Sequence, residues 1–197
     1  MNRILPFHFL VSVIVLMSSC SPKLRYPVGQ IKVPKGEILF WLDYRTPKHK
    51  AQFISLAKAG YWDSLTFNRV IPDFVAQGGC PDTKEGFSNS PYLLDPEFHD
   101  SLRHLYGAVG AGRDDNLQMK SAACQFYIVQ NRKGLHRLDT KYTVFGMVFK
   151  GMDLVDEIVM QPRDSNDVPI RPITIKVMVL YLDKKELLSK GYKSDRE

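Results

Sequence analysis

The sequence predicts a mainly β domain: an antiparallel barrel with helices at its ends. Three observations carry that expectation. Short runs of strand formers recur along the chain, turn residues separate them, and only two stretches have helical spacing. No regular strand–helix–strand alternation is present, which argues against a parallel sheet.

The first strand run is 37–43 (EILFWLD), preceded by Gly36. Thr46-Pro47 then offers an N-cap and a proline at the first helical position, and Phe53, Leu56 and Ala57 follow at helical spacing up to Gly60. Residues 66–71 and 74–77 read as strands joined by the turn pair Pro72-Asp73. The segment 78–105 is polar, broken by Pro81, Pro91 and Pro96, and reads as a long functional or rim-packed loop. Further strands are expected at 107–112, 125–130 and 142–149, and a second helix at 152–160 with Met152, Val155, Ile158 and Val159 on one face. Residues 173–182 form the last strong strand, and 183–197 read as a charged tail.

Composition sets the class. The 197 residues are 44% hydrophobic and 24% charged, which suits one ordinary globular core. Three cysteines exclude a disulfide scaffold. The net charge of +6 is mildly basic, but no Lys/Arg block marks a nucleic-acid surface, so no nucleic-acid partner is expected.

The N-terminus has its own logic. Arg3 is followed by an almost wholly apolar run, 4–17, too short for the roughly twenty residues that span a bilayer. Small residues Ser18-Ser19 precede Cys20, as in a secretory signal. Met17-Ser18-Ser19-Cys20 resembles a bacterial lipobox, in which the cysteine is lipidated and becomes the mature N-terminus. The expected organisation is a removed lipoprotein signal peptide at 1–19, a tether at 20–28, a domain at 29–182 and the tail at 183–197. The protein is thus expected on the bacterial cell envelope, anchored through Cys20. The lack of an acidic run after that cysteine favours a domain facing the periplasm.

Several chemical motifs are weaker than they look. Cys80, with His99 or His104 as base, has no spacing that marks a nucleophile, and Gly-Gly before a cysteine is more often a bulge or turn. Gly107, Gly110 and Gly112 do not match a nucleotide-binding fingerprint. His49, His99, His104 and His136 lack a metal-ligand spacing and read as exposed loop residues. No metal and no cofactor are expected.

The run Phe67-Asn68-Arg69-Val70-Ile71-Pro72-Asp73-Phe74-Val75-Ala76-Gln77-Gly78-Gly79 is specific. It resembles the signature of cyclophilin-type peptidyl-prolyl cis-trans isomerases, F-H-R-(I/V)-I-x-x-F-(M/V)-x-Q-G-G. Two further segments follow in the family's order: 121–128 (SAACQFYI) resembles its S-Q-F-F-I strand, and 138–146 (LDTKYTVFG) its L-D-G-x-(H/Y)-x-V-F-G segment. The resemblance spans about 29–182 and implies a closed eight-stranded antiparallel β-barrel capped by two α-helices.

The implied chemistry is rotation about X-Pro bonds. Conjugation of the nitrogen lone pair with the carbonyl gives a peptide bond a barrier of about 18–20 kcal/mol. Lowering it needs an apolar slot for the proline ring and a donor that favours the twisted bond over the planar one. By resemblance, Arg69 is that donor and Gln77 orients it, the two forming the catalytic pair. Phe74, Val75, Tyr127 and Leu138 form the slot, while Gly112, Arg113, Gln125 and Tyr142 complete the substrate-binding set. The partners implied are proline-containing unfolded or exposed polypeptide segments, met by a monomer that assists the folding of exported proteins. A prolyl-peptide-binding or chaperone module with weak turnover is the alternative, and Arg69 argues against it, since a pure binder has no need of a charge beside an apolar slot. Departures from the family pattern are Asn68 in place of His, Arg137 in place of a frequent Trp, Tyr127 in place of Phe, and about three extra residues between Arg113 and Gln125. The resemblance also brings Cys80 and Cys124 close to one groove. Two buried free thiols are favoured there over a bridge, because groove neighbours can sit beyond the Cα limit of about 7 Å.

Overall fold

The computed structural model of the protein describes residues 24–80 and 93–193. The signal peptide and Cys20 lie outside the described residues. Eleven strands occur among the described residues: β1 (Tyr26–Val33), β2 (Gly36–Leu42), β3 (Thr66–Ile71), β4 (Val75–Gly79), β5 (Leu93–Leu94), β6 (Ala108–Ala111), β7 (Ser121–Ala122), β8 (Gln125–Val129), β9 (Val144–Lys150), β10 (Ile173–Thr174) and β11 (Lys176–Leu182). Helices are α1 (Pro47–Lys58), α2 (Met152–Val159) and α3 (Lys184–Ser189), with a 3-10 turn at His136–Leu138.

Nine strands form one antiparallel sheet, in the order β10-β3-β4-β8-β6-β9-β2-β1-β11, and β5 pairs with β7 apart from it. The two ends of that order are one stretch of chain. β10 pairs with β3 and β11 pairs with β1, and the single residue between them, Ile175, donates its N–H to the Leu65 carbonyl at 2.8 Å. Taken as one interrupted strand, they close the sheet into the eight-stranded barrel that the resemblance implies. Alternate residues point inward and fill it: Ile31, Ile38, Phe40, Phe67, Val70, Val109, Phe126 and Ile128 are almost fully buried. Phe53, Leu56 and Ala57 of α1 and Val155, Ile158 and Val159 of α2 pack on this cluster, as their spacing predicts.

Four local expectations are corrected. The strand starting the domain begins at Tyr26, inside the expected tether; Pro27 escapes detection as a strand residue because it sits at the very start, paired with Tyr181 but not with β2. The expected tail contains a third helix. Asp183 accepts from the Glu186 N–H while Glu186 accepts from the Asp183 N–H, and Leu187 is buried against Val28, Leu39 and Leu182. Thr46 stands at the N-cap of α1 but makes no side-chain cap bond. Glu97, distant in sequence, caps instead, accepting from the Lys48 and His49 N–H groups at 3.0 and 2.9 Å. Finally, His49 and His104 are not exposed loop residues: they are 3% and 0% exposed.

Candidate active site

The site grows out of one row of residues across the barrel wall. Arg69 of β3 lies opposite Gln77 of β4, Gln77 opposite Tyr127 of β8, and Tyr127 opposite Gly110 of β6. Residues paired across strands share a face, and the adjacent row of Val70, Ala76, Ile128 and Val109 is fully buried inside the barrel. The row holding Arg69 therefore faces outward. Gly110 is required here: a Cβ at that position would overlap the Tyr127 ring. Its missing side chain lets the phenol lie flat across β6.

Beside this row a second apolar cluster forms on the outside of the barrel. It contains Val75, Tyr127, Val129, Val144, Leu135 and Ala108, with Phe74, Leu138 and Tyr142 packed against them. All four residues expected to form the proline slot are thus brought together, outside the main core. Arg69 stands at the edge, its side chain 37% exposed. Its Nη1 lies 3.5 Å from Gln77 Oε1, its Nε 3.9 Å from Asp167 Oδ2, and its guanidinium carbon 5.9 Å from the centre of the Phe74 ring. The Gln77 contact is the one expected. Arg137, standing where many relatives have Trp, places its guanidinium carbon 5.0 Å from the same Phe74 ring.

The other expected binding residues form the far side. Gly112 donates its N–H to the Gln125 carbonyl at 2.9 Å, and its lack of a side chain makes room for the Gln125 amide. Gln125 is almost fully buried, with Nε2 donating to the Cys80 carbonyl at 3.2 Å. Arg113 lies over the Tyr142 ring at 4.6 Å and donates from Nε to the Lys141 carbonyl.

Cys80 and Cys124 are bonded as a disulfide, with Cα atoms 5.4 Å apart. The expectation of free thiols fails because the two residues end adjacent strands in register: Gly79 pairs with Gln125, and the Cys80 N–H donates to the Cys124 carbonyl at 3.0 Å. The Cys80 carbonyl also lies 3.3 Å from Asn68 Nδ2, so the bridged residue organises both Gln125 and the residue that replaces the family His.

Sequence reasoning missed three residues. Asp167 follows α2 in a segment with no regular pattern, so nothing in the sequence tied it to Arg69. His104 and Asp139 lie beneath the slot. Asp139 Oδ1 accepts from the His104 N–H and lies 2.8 Å from Nδ1, while Oδ2 is 3.1 Å from Arg103 Nη1 and 3.0 Å from His136 Nδ1. On the other edge of the ring, His104 Nε2 lies 2.8 Å from the Tyr127 hydroxyl. With Nδ1–H donating to Asp139, Nε2 accepts from the phenol, so a neutral imidazole satisfies every bond. Asp139 stands inside the 138–146 motif, and Tyr127 in place of Phe was the other visible signal.

The electrostatics follow from this burial. Burial lowers the His104 pKa and outweighs the Asp139 partner that raises it; His49 is lowered in the same way against Glu97. Burial pushes the Asp139 carboxyl up, but hydrogen bonds from His104, His136 and Arg103 hold it well below the usual carboxylate range. Glu97 is lowered likewise by the His49 and Lys48 bonds. Tyr127 is pushed well above an ordinary phenol, chiefly by burial. A histidine lowered on folding contributes stability that is complete above its unfolded pKa of about 6.5 and is lost as pH falls below it. The lowered carboxylates add a further loss below about pH 4. Urea midpoints should therefore be flat from pH 8 to 7 and fall steadily below 6.5. A midpoint that rises on acidification would contradict this account.

Comparison with known proteins identifies the family. The family model for cyclophilin type peptidyl-prolyl cis-trans isomerase matches residues 28–179. The Schizosaccharomyces pombe peptidyl-prolyl cis-trans isomerase ppi1 is 35% identical over 153 residues, covering 74% of this chain and 94% of the yeast protein. A putative peptidyl-prolyl cis-trans isomerase of Staphylococcus saprophyticus is 30% identical, over 72% of this chain and 85% of its own. Among solved structures, a Cryptosporidium parvum cyclophilin type isomerase, crystallised in the presence of the dipeptide Ala-Pro, superposes with a TM-score of 0.70 at 25% identity, covering 78% of this chain and 98% of that one. A family model that matches most of the chain and a 35% identical relative covered almost throughout show that the chain belongs to the cyclophilin-type peptidyl-prolyl cis-trans isomerase family.

Proposed function

We propose that this isomerase acts on exported chains at the bacterial cell envelope, held by a lipid on Cys20 and facing the periplasm, with Arg69 as its catalytic donor. The observation that carries the catalytic part is the position of Arg69: a fixed positive charge at the rim of the Phe74–Val75–Tyr127–Leu138 cluster, with Gln77 and Asp167 beside it. A proline ring seated on that cluster brings its carbonyl and nitrogen to the guanidinium. As the bond twists, the nitrogen loses conjugation and becomes a hydrogen-bond acceptor, and Arg69 donates to it. Tyr127, tied to His104, presents a fixed ring to the proline. Gly112 and Arg113 line the path of the substrate backbone, together with Gln125. No bond is made or broken, so no proton relay is required of the His104–Asp139 pair.

The test of this activity is direct. The protein should accelerate cis-to-trans exchange of a short X-Pro peptide, followed by line broadening or by a conformer-selective protease. A protein that binds the peptide without accelerating exchange would instead be the binding module.

Two features support the location. Met17-Ser18-Ser19-Cys20 resembles a lipobox. The Cys80–Cys124 bond is of the kind that persists in oxidising compartments. Cys20→Ala should move the protein from the membrane fraction to the soluble fraction on cell fractionation. Complete retention of this variant in membranes would refute the lipid anchor.

A further inference from the structure

We propose that the outer face formed by β1, the end of β2 and α3 docks on the bilayer surface, a proposal resting on the reading of Cys20 as lipidated. A cavity of about 500 Å³ opens there, between α3 and the start of β1. Tyr26, Trp41, Tyr44 and Leu188 line it with exposures of 42, 37, 75 and 48%. Leu24, two residues before Tyr26, is 69% exposed. A soluble surface has no reason to gather one tryptophan, two tyrosines and two leucines at one place, whereas Trp and Tyr rings suit the headgroup boundary of a membrane.

Charge and tether length identify the occupant. Lys50 and Lys184 stand among the lining residues and Lys185 follows on α3. Of the nearby carboxylates, Asp43 is buried against Arg45 at 2.6 Å, and Glu186 is shared between the Asp183 cap and Arg25. Lysines at the mouth of an apolar cavity match anionic lipid headgroups over acyl chains. Leu24 is four residues from Cys20. At no more than about 3.6 Å per residue, the lipid-bearing residue lies within roughly 14 Å of Leu24. A lipid on Cys20 therefore holds this face, and no distant one, against the membrane.

The barrel order gives the consequence. Around the closed ring, β2 and β1 stand four places from β4 and β8, the strands carrying Gln77 and Tyr127. A domain resting on the β1–β2 face turns its proline slot directly away from the bilayer, toward passing chains.

The protein contains its own reporter. It has two tryptophans: Trp62 is 1% exposed in the core, and Trp41 is in the cavity. Full-length lipidated protein would be placed in phosphatidylethanolamine and phosphatidylglycerol vesicles with brominated acyl chains. Bromine quenches only at short range, so roughly half the tryptophan emission should be lost if the aromatic side chain sits at the boundary. Trp41→Phe should abolish quenching while leaving vesicle flotation and isomerase activity intact. The paired change Lys50→Glu and Lys184→Glu should weaken quenching in anionic vesicles. Protein that floats with vesicles yet is not quenched overturns the docking and leaves the anchor standing. Protein that does not float overturns the anchor, and the docking with it. Quenching that persists in Trp41→Phe, or cross-linked dimers joined through this face, would also overturn the proposal.

Discussion

Replacing Arg69 by Ala should slow X-Pro exchange by roughly 10²–10³, equivalent to about 2–4 kcal/mol of barrier, the loss typical of removing one preorganised donor. The barrel should survive. Arg69 is on the outward row, its two polar neighbours are loosely placed at 3.5 and 3.9 Å, and the inward Val70 next to it is untouched. The decisive pair of measurements is exchange rate and unfolding midpoint. A large rate loss with an unchanged midpoint assigns the donor role; a wild-type rate removes it. Arg69→Lys should recover only part of the loss. A lysine keeps the charge but lacks the fork proposed to reach the prolyl carbonyl and nitrogen together. Arg137 also faces Phe74, so Arg137→Ala is the control: its guanidinium lies over the ring without a Gln77 partner, and its removal should cost far less.

The second large effect belongs to the Cys80–Cys124 bond, which closes a loop of sequence separation 44. On the chain-entropy account, opening it should cost about 4 kcal/mol of stability. The double variant Cys80→Ala, Cys124→Ala should therefore unfold at clearly lower urea concentration than the oxidised protein. Thiol titration of unfolded, unreduced protein should find neither cysteine free. Two free thiols per chain would remove the bridge, and an unshifted midpoint would remove its contribution. If Gln125 binds substrate as proposed, the variant should also raise KM more than it lowers kcat, because the Cys80 carbonyl holds the Gln125 amide.

The reach and the limits of the sequence follow from which forces write themselves locally. Period-two and helical patterns made most barrel strands and both main helices visible, since each reflects burial of one face. Arg69, Gln77 and the four slot residues were legible only through the family motif. By pattern alone Val75 and Tyr127 are ordinary buried strand residues, and what sets them apart is burial outside the barrel rather than within it. Contacts made across long separations left no local trace. Glu97 capping α1 from 48 residues beyond His49, Asp167 beside Arg69, and His104 under Tyr127 all depend on the closed barrel. The disulfide was misjudged for the same reason: strand register, not sequence spacing, sets a Cα distance. α3 was hidden by its charge, because a helix this short shows only one buried leucine and a capping box.

The join between β10 and β11 also governs how the molecule is made. β1 is made before every other strand of the barrel, yet one of its two neighbours in the wall, β11, is made after all the others; Tyr26 waits for Leu182. Until then β1 is an open edge with unpaired N–H and C=O groups, the kind of edge that recruits strands from other chains. Such long-range pairing makes folding slow, because the whole intervening chain must be ordered before the final ladder repays its entropy. An isomerase of X-Pro bonds is thus itself a protein whose ring cannot be sealed until the last strand of its barrel has been made.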